Sequence, residues 1–174
     1  RNRALSAAGP AAAGAAEKAL AGQVRQLLAI AESYPELRAG ESFLALQRWV
    51  HDLARFRGFE VEHREMLIGR RAESNEEIED APASAHVKRT AQESYDPPAF
   101  MVRRSMPWAS ATQEGLEFIA QVESLDRFEV QMRRMIGHED GIVDGLFSFS
   151  RPVTGGYYWC PPVENGRLDL TILG

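Results

Sequence analysis

The sequence predicts an α+β domain whose elements run β-α-β-β-α-β behind a helical N-terminal segment, on three observations. Short stretches with alternating apolar and polar faces recur beyond residue 40, as in Gly115–Val122 (GLEFIAQV). Ser124 precedes a run whose Leu125, Phe128, Met132, Met135 and Ile136 share one helical face, closed by Gly137. Residues 1–39 are rich in Ala and Gly and contain no Trp, Phe or Cys. That element order is the ferredoxin-like unit.

In the leading segment, Leu20, Val24, Leu27, Leu28 and Ala31 line one face of a helix over Ala15–Tyr34. Pro35 ends it, because the residue before a proline is pushed out of the α region. An apolar stripe so narrow needs a partner to be stable. Glu41–His51 alternates well enough for a strand and is equally readable as helix. Asp52 is a good N-cap for a helical stretch carrying Leu53, Phe56, Val61 and Leu67, with a break at Gly58. Residues 71–85 are acidic and then small, which predicts a surface loop. Phe100–Met106 reads as a strand, as does Pro152–Trp159, which starts where proline is tolerated.

Composition excludes several classes. A net charge of -5 argues against nucleic acid or an anionic membrane as partner. No apolar run is long enough to span a bilayer, and no membrane association is expected. The one cysteine, Cys160, rules out a disulfide framework within the chain and fits a reducing, cytoplasmic location. The chain opens at Arg1 rather than Met, which leaves targeting signals open. There is no P-loop, dinucleotide fingerprint, HExxH or GxSxG. His51, His63, His86 and His138 lack zinc-type spacing. Residue types alone stop at a soluble α+β domain.

Six stretches carry the reading further: QRWVHDLARF (47–56), LIGRR (67–71), AHVKR (85–89), FMVRRSMPW (100–108), GLEFIAQ (115–121) and MIGHEDGIVDGLFSFSRPVTGGYYWCPP (135–162). In order and spacing they resemble the C-terminal half of dye-decolorising (Dyp-type) peroxidases, over residues 40–174. The resemblance implies two ferredoxin-like halves, with haem b held by the second. It implies hydrogen peroxide as oxidant and dyes, phenolics or porphyrin-like compounds as aromatic reductants.

Carried over position by position, the resemblance makes His86 the axial iron ligand. Asp144 is the carboxylate behind it, fixing the ring and raising its basicity. A helix N-cap is an equal reading for Asp144. Arg103 matches the distal arginine, which stabilises negative charge as the peroxide bond breaks but cannot act as a base. In a strand Ser105 shares its face and Arg104 does not. Arg70 is a haem-propionate partner or a surface cation; Leu116 and Phe118 line the porphyrin or simply pack the core. Tyr157, Tyr158 and Trp159 either relay oxidising equivalents or fill a core.

The GxxDG motif that these enzymes carry in their first half has no counterpart here, since HEDG (138–141) and VDG (143–145) fall in the stretch matched to the second half, which implies impaired activity. RNRALSAAG, AEKALAGQVRQLLAIAESYPELRA and FLALQ, over residues 1–46, resemble a LemA-like helical domain instead, so the expected division is 1–39 and 40–174. A homo-oligomer is expected, with an encapsulating shell as a further partner. The tail DLTILG reads as a docking peptide or a truncation point. The competing function is a haem-free helical and ferredoxin-like scaffold that buries an exposed sheet face against a partner.

Overall fold

The computed structural model describes residues 42–164 and 167–173. The helix expected over Ala15–Tyr34, and the 1–39 division with it, lie outside the described residues.

The ambiguous stretch after residue 41 is a strand, β1 (Ser42–His51), and it lies inside the sheet. Backbone partners on both sides settle the choice between helix and strand. β1 pairs antiparallel with β3 (Glu114–Val122) and with β4 (Ser150–Cys160), while β2 (Val102–Ala109) pairs with the far side of β3. The order β2-β3-β1-β4 is that of the ferredoxin-like unit. Both outer strands carry a proline where its missing N–H does no harm. Pro107 sits in edge strand β2. Pro152 sits in β4 beside a break in register at Arg48/Trp49, where Arg48 faces Thr154 and Trp49 faces Pro152, leaving Val153 as the extra residue of a bulge.

Between β1 and β2 run α1 (Leu53–Gly58), α2 (Val61–Ile68), α3 (His86–Arg89) and a short 3-10 turn. Asp52 caps α1 by accepting from Arg55 N at 2.9 Å. The predicted helix does break after Gly58, and Val61, expected on its buried face, is exposed. Between β3 and β4 comes α4 (Leu125–Met135), capped by the Ser124 hydroxyl. Ile136 falls just outside α4 and is exposed, so it leaves the face predicted for it. A β5–β6 hairpin (Val163–Glu164 with Arg167–Leu168) and a 3-10 turn at Thr171–Leu173 follow β4. No described helix is long and apolar enough to cross a membrane.

Register sorts the side chains. Phe43, Ala45, Gln47 and Trp49 of β1 share a face with Val122, Ala120, Phe118 and Leu116 of β3. On this face α4 packs its Phe128 against Ala45, Ala120 and Val122, forming the main core. Burying a phenylalanine this completely is worth about 2–3 kcal/mol. The opposite face carries Met106 and Ile119 with Leu44 and Leu46.

The 71–85 loop lies largely at the surface as expected, with two exceptions. Ile78 is buried and donates its N–H to Gly69 O at 2.9 Å, and Ala85 is fully buried at the foot of α3. These two anchors fix the loop that delivers His86.

Candidate functional site

α3 is only four residues long, too short to hold a side chain in place by its own hydrogen bonds. Its position comes from its surroundings. Gly69 ends α2 in the left-handed conformation (φ 88°), and a Cβ there would stand 2.3 Å from Val87 Cγ2. Only glycine both adopts that turn and lets α3 lie so close. Thr90 Oγ1 donates to His86 O at 2.9 Å and closes the other end. Below, Arg89 is buried and grips Asp140 with two hydrogen bonds of 2.6 and 2.9 Å, and it also donates to Arg134 O. Tyr95 donates its hydroxyl to Arg89 O at 2.8 Å.

Asp140 thus has its carboxyl held down at about 2, chiefly by the hydrogen bonds from Arg89 and next by the Ile142 N–H. A carboxylate with a depressed folded pKa stabilises above its unfolded value near 4 and loses that contribution as pH falls towards 2. An Asp140→Ala variant strands the buried Arg89 charge, and we expect it to destabilise the fold at neutral pH. It should also flatten the acid limb between pH 4 and 2 in urea melts followed by circular dichroism. An acid limb identical to that of the native chain would exclude this pair as its source.

His86 meets a carboxylate at its Nδ1. Asp144 Oδ2 lies 2.8 Å away, and the Asp144 side chain is fully buried. Its other oxygen accepts from Leu146 N at 2.8 Å, capping the 3-10 turn Gly145–Ser148. Asp144 therefore meets the His86 ring with one oxygen and caps the turn with the other. The loop is fixed at its backbone too: Asp144 N donates to Met135 O at 2.8 Å and Gly145 N to Ser84 O at 2.7 Å. With Nδ1–H given to a carboxylate, the ring keeps its lone pair on Nε2.

His86 borders two neighbouring cavities of about 540 and 130 Å³, which share Thr90, Arg103, Ser105 and Phe118 in their walls. Arg103 and Ser105 lie on the helix-side face of β2, opposite Ala120 and Phe118, whereas Arg104 lies opposite Ile119 on the other face. Arg103 Nη1 donates to Thr90 O at 3.4 Å. Burial lowers the Arg103 pKa, against the opposing pull of Glu93 and Tyr95, and the group remains a cation. Leu116 and Phe118 both line the smaller cavity, together with Gln131 and Met132. Arg70 borders the larger one, but its guanidinium is engaged locally, donating to Asn75 O at 2.9 Å and pairing with Glu77 at 3.3 Å.

The structure thus brings His86, Asp144, Arg103, Ser105, Leu116 and Phe118 to one place, with Arg70 at the rim. Sequence reasoning missed Thr90, whose carbonyl accepts from both Arg103 and the buried Gln131. It also missed His51, which borders the smaller cavity and pairs through Nδ1 with the buried Ser150 hydroxyl at 2.7 Å. Burial lowers the His51 pKa, partly offset by Glu114. Backbone carbonyls leave no mark in a sequence, and a histidine at a strand end has no motif of its own. A roomier opening of about 810 Å³ lies at that strand end, away from His86. The candidate site is centred on His86, where a buried carboxylate, a cation and a cavity converge.

Comparison with known proteins bears on the family and the fold. The family described as "Dyp-type peroxidase, C-terminal" matches residues 13–165. The chain belongs to the Dyp-type peroxidase family. A dye-decolorizing peroxidase of Mycobacterium tuberculosis is 30% identical over 132 residues, covering 72% of this chain and 39% of the relative. That of Mycolicibacterium paratuberculosis is 29% identical over 142 residues, covering 78% and 40%. Among solved structures, a dye-decolorizing protein from Vibrio cholerae superposes with TM-score 0.66 at 34% identity, covering 71% of this chain and 42% of that one. A variant of DypB from Rhodococcus jostii RHA1 in complex with heme gives 0.65 at 27%, with coverage of 71% and 42%. The chain spans about two fifths of the length of these relatives. The Dyp-type match begins at residue 13, so it runs into the segment expected to be LemA-like, and that expectation has no support.

Proposed function

We propose that this chain is the haem-holding part of a peroxidase that uses hydrogen peroxide to oxidise dyes, phenolics or porphyrin-like compounds. The observation that carries this reading is the 2.8 Å contact between His86 Nδ1 and the buried Asp144, at the edge of a cavity walled by Arg103 and Ser105. A histidine that ligates iron needs its second nitrogen held, and a carboxylate hold makes it a stronger donor. The residues present fit a haem. They comprise one nitrogen donor, apolar walls from Leu116 and Phe118, and a cation at Arg103 for developing negative charge, with Arg70 at the rim already paired with Glu77. Among the described residues no cluster of three His, Cys, Asp or Glu offers a competing metal site.

When bound, haem supplies the two-electron redox chemistry of peroxide. The chain's own residues position and polarise. Asp144 holds His86 in one tautomer and one orientation. Arg103 keeps its proton, so it stabilises an oxygen-centred negative charge and does not take up the proton of peroxide. Ser105 offers a hydroxyl on the same face to orient water or peroxide. The chain's two GxxDG patterns, GHEDG (137–141) and GIVDG (141–145), commit their aspartates to Arg89 and to His86, so neither serves as a base for that proton. We therefore expect this chain alone to bind haem but turn over slowly. The exposed Leu170 and Leu173 of the tail are the residues we assign to docking on an oligomeric or shell partner.

Haemin titration of the full chain, followed by peroxide-dependent oxidation of an anthraquinone dye, tests the proposal. A saturable one-to-one change in the haem spectrum with weak dye turnover is expected. A colourless protein after incubation would instead support the scaffold.

A further inference from the structure

We propose that His51 exchanges protons for this site, carrying them between solvent at the end of the sheet and the cavity that His86 borders. The inference rests on the haem reading above. His51 follows Trp49 by two residues on β1, so it lies on the same helix-side face. Glu114 of β3 stands opposite it on one flank and Ser150 of β4 on the other. Its ring borders the cavity of about 130 Å³ together with His86, Arg103 and Ser105. It also borders the opening of about 810 Å³ at the strand end, which Ser150 lines as well. Among the described residues, His51 is the one that the walls of these two spaces share.

The two histidines of this cavity differ in what holds them. A carboxylate only accepts, so Asp144 keeps His86 in the tautomer with its lone pair on Nε2, the state a ligand needs. His51 Nδ1 meets a hydroxyl instead, that of the buried Ser150 at 2.7 Å. A hydroxyl both donates and accepts. With Nδ1–H donating to Oγ, Nε2 carries a lone pair; with O–H donating to Nδ1, Nε2 carries a proton. The ring can therefore act as base or acid at Nε2 without leaving its place, which proton exchange needs and axial ligation does not. Burial lowers the His51 pKa against the opposing pull of Glu114, so the ring is neutral near pH 7. Asp52, Arg55 and Arg151 share the wall of the outer opening, and Arg103 is the cation on the cavity side. The other ionisable groups of the smaller cavity are committed, His86 to Asp144 and Arg103 to its permanent charge.

Hydrogen peroxide, reacting at haem held by His86, takes up two electrons and two protons to give two waters. Two molecules of a phenolic reductant supply the electrons, and each releases one proton to solvent as its radical forms. Charge balances only if two protons return from solvent to the cavity. His51 Nε2 takes up each from water of the outer opening, gives it to an oxygen in the cavity, and leaves the ring neutral again. The same nitrogen takes a proton from one oxygen of peroxide and gives it to the other, which departs as water when the O–O bond breaks. This exchange sustains the slow turnover expected of the chain.

The test uses the full chain. Before haemin is added, long-range proton–nitrogen NMR should show His51 populating both tautomers and His86 only one, with a His51 pKa below the ordinary 6.5. With haemin bound, kcat/KM for peroxide should fall on the acid side with a midpoint matching that NMR value. His51→Gln should keep the haem spectrum, lower kcat/KM by about 100-fold and abolish the acid limb. Ser150→Ala should give a smaller fall, because the ring loses its hold but keeps Nε2. A single tautomer at His51, or a native acid limb in His51→Gln, overturns the proton role and leaves the haem reading standing. So does loss of that limb in Glu93→Gln, at the wall of the larger cavity, with His51→Gln unaffected. No haem spectrum in the native chain overturns both.

Discussion

An Asp144→Asn variant is expected to bind haem about 10–100-fold more weakly than the native chain, the usual cost of losing a partner behind a metal-ligating histidine. The size of the effect follows from the double duty of this residue. Asp144 uses one oxygen for His86 Nδ1 and the other for Leu146 N, each at 2.8 Å. An asparagine has one acceptor oxygen, so it keeps either the cap or the hold on His86. If it keeps the cap, its NH₂ faces Nδ1 and drives the ring towards the tautomer with its proton on Nε2, the nitrogen needed for iron. If it keeps the hold, it loses a cap worth about 1 kcal/mol and buries an unpaired N–H. Isothermal titration with haemin beside a thermal melt separates the outcomes. Unchanged affinity with an unchanged melting temperature would show that Asp144 does not support His86.

Gly115→Ala is expected to be the most damaging single methyl group in the described fold. β3 pairs with β1 here, with Gly115 opposite Val50. A Cβ on Gly115 would lie 1.9 Å from Trp49 O and 2.8 Å from Trp49 C, both backbone atoms of the central strand. A flexible side chain can swing aside, but a paired strand moves only by breaking its ladder. We expect a loss of about 3–5 kcal/mol, in the range reserved for gross steric conflict. For a domain of this size that lowers the melting temperature by roughly 10 °C or more. Gly58→Ala is the control, since a Cβ there has no neighbour within 4 Å. Equal melting temperatures for the two variants would contradict the close pairing of β1 and β3.

How much of this was legible beforehand varies element by element. α4 was readable because Ser124, the spacing of Leu125, Phe128 and Met132, and the left-handed Gly137 all point the same way. β1 was not, because its alternation over ten residues suits either period. The decision lies in β3 and β4, which are far away in the chain. Placing Arg103 and Ser105 on one face and Arg104 on the other needed only the two-residue period of a strand. The neighbourhood of His86 and Asp144 came from the family motifs and not from spacing: 58 residues separate them, and nothing local connects them. Arg70 shows the limit of residue type as a guide. A cation beside a cavity suggests an anion partner, yet Glu77 and the Asn75 carbonyl engage it within the loop. Gly115 stood inside a strand with no sign of how close β1 passes.

The central claim is that His86 donates to iron, and it is tested most directly by titrating haemin into the full chain and into a His86→Ala variant while recording the optical spectrum. The account predicts a histidine-ligated Soret band in the native chain, its loss in the variant, and its return on adding free imidazole. A variant whose band matches the native one in position and saturation would mean that another residue holds the iron.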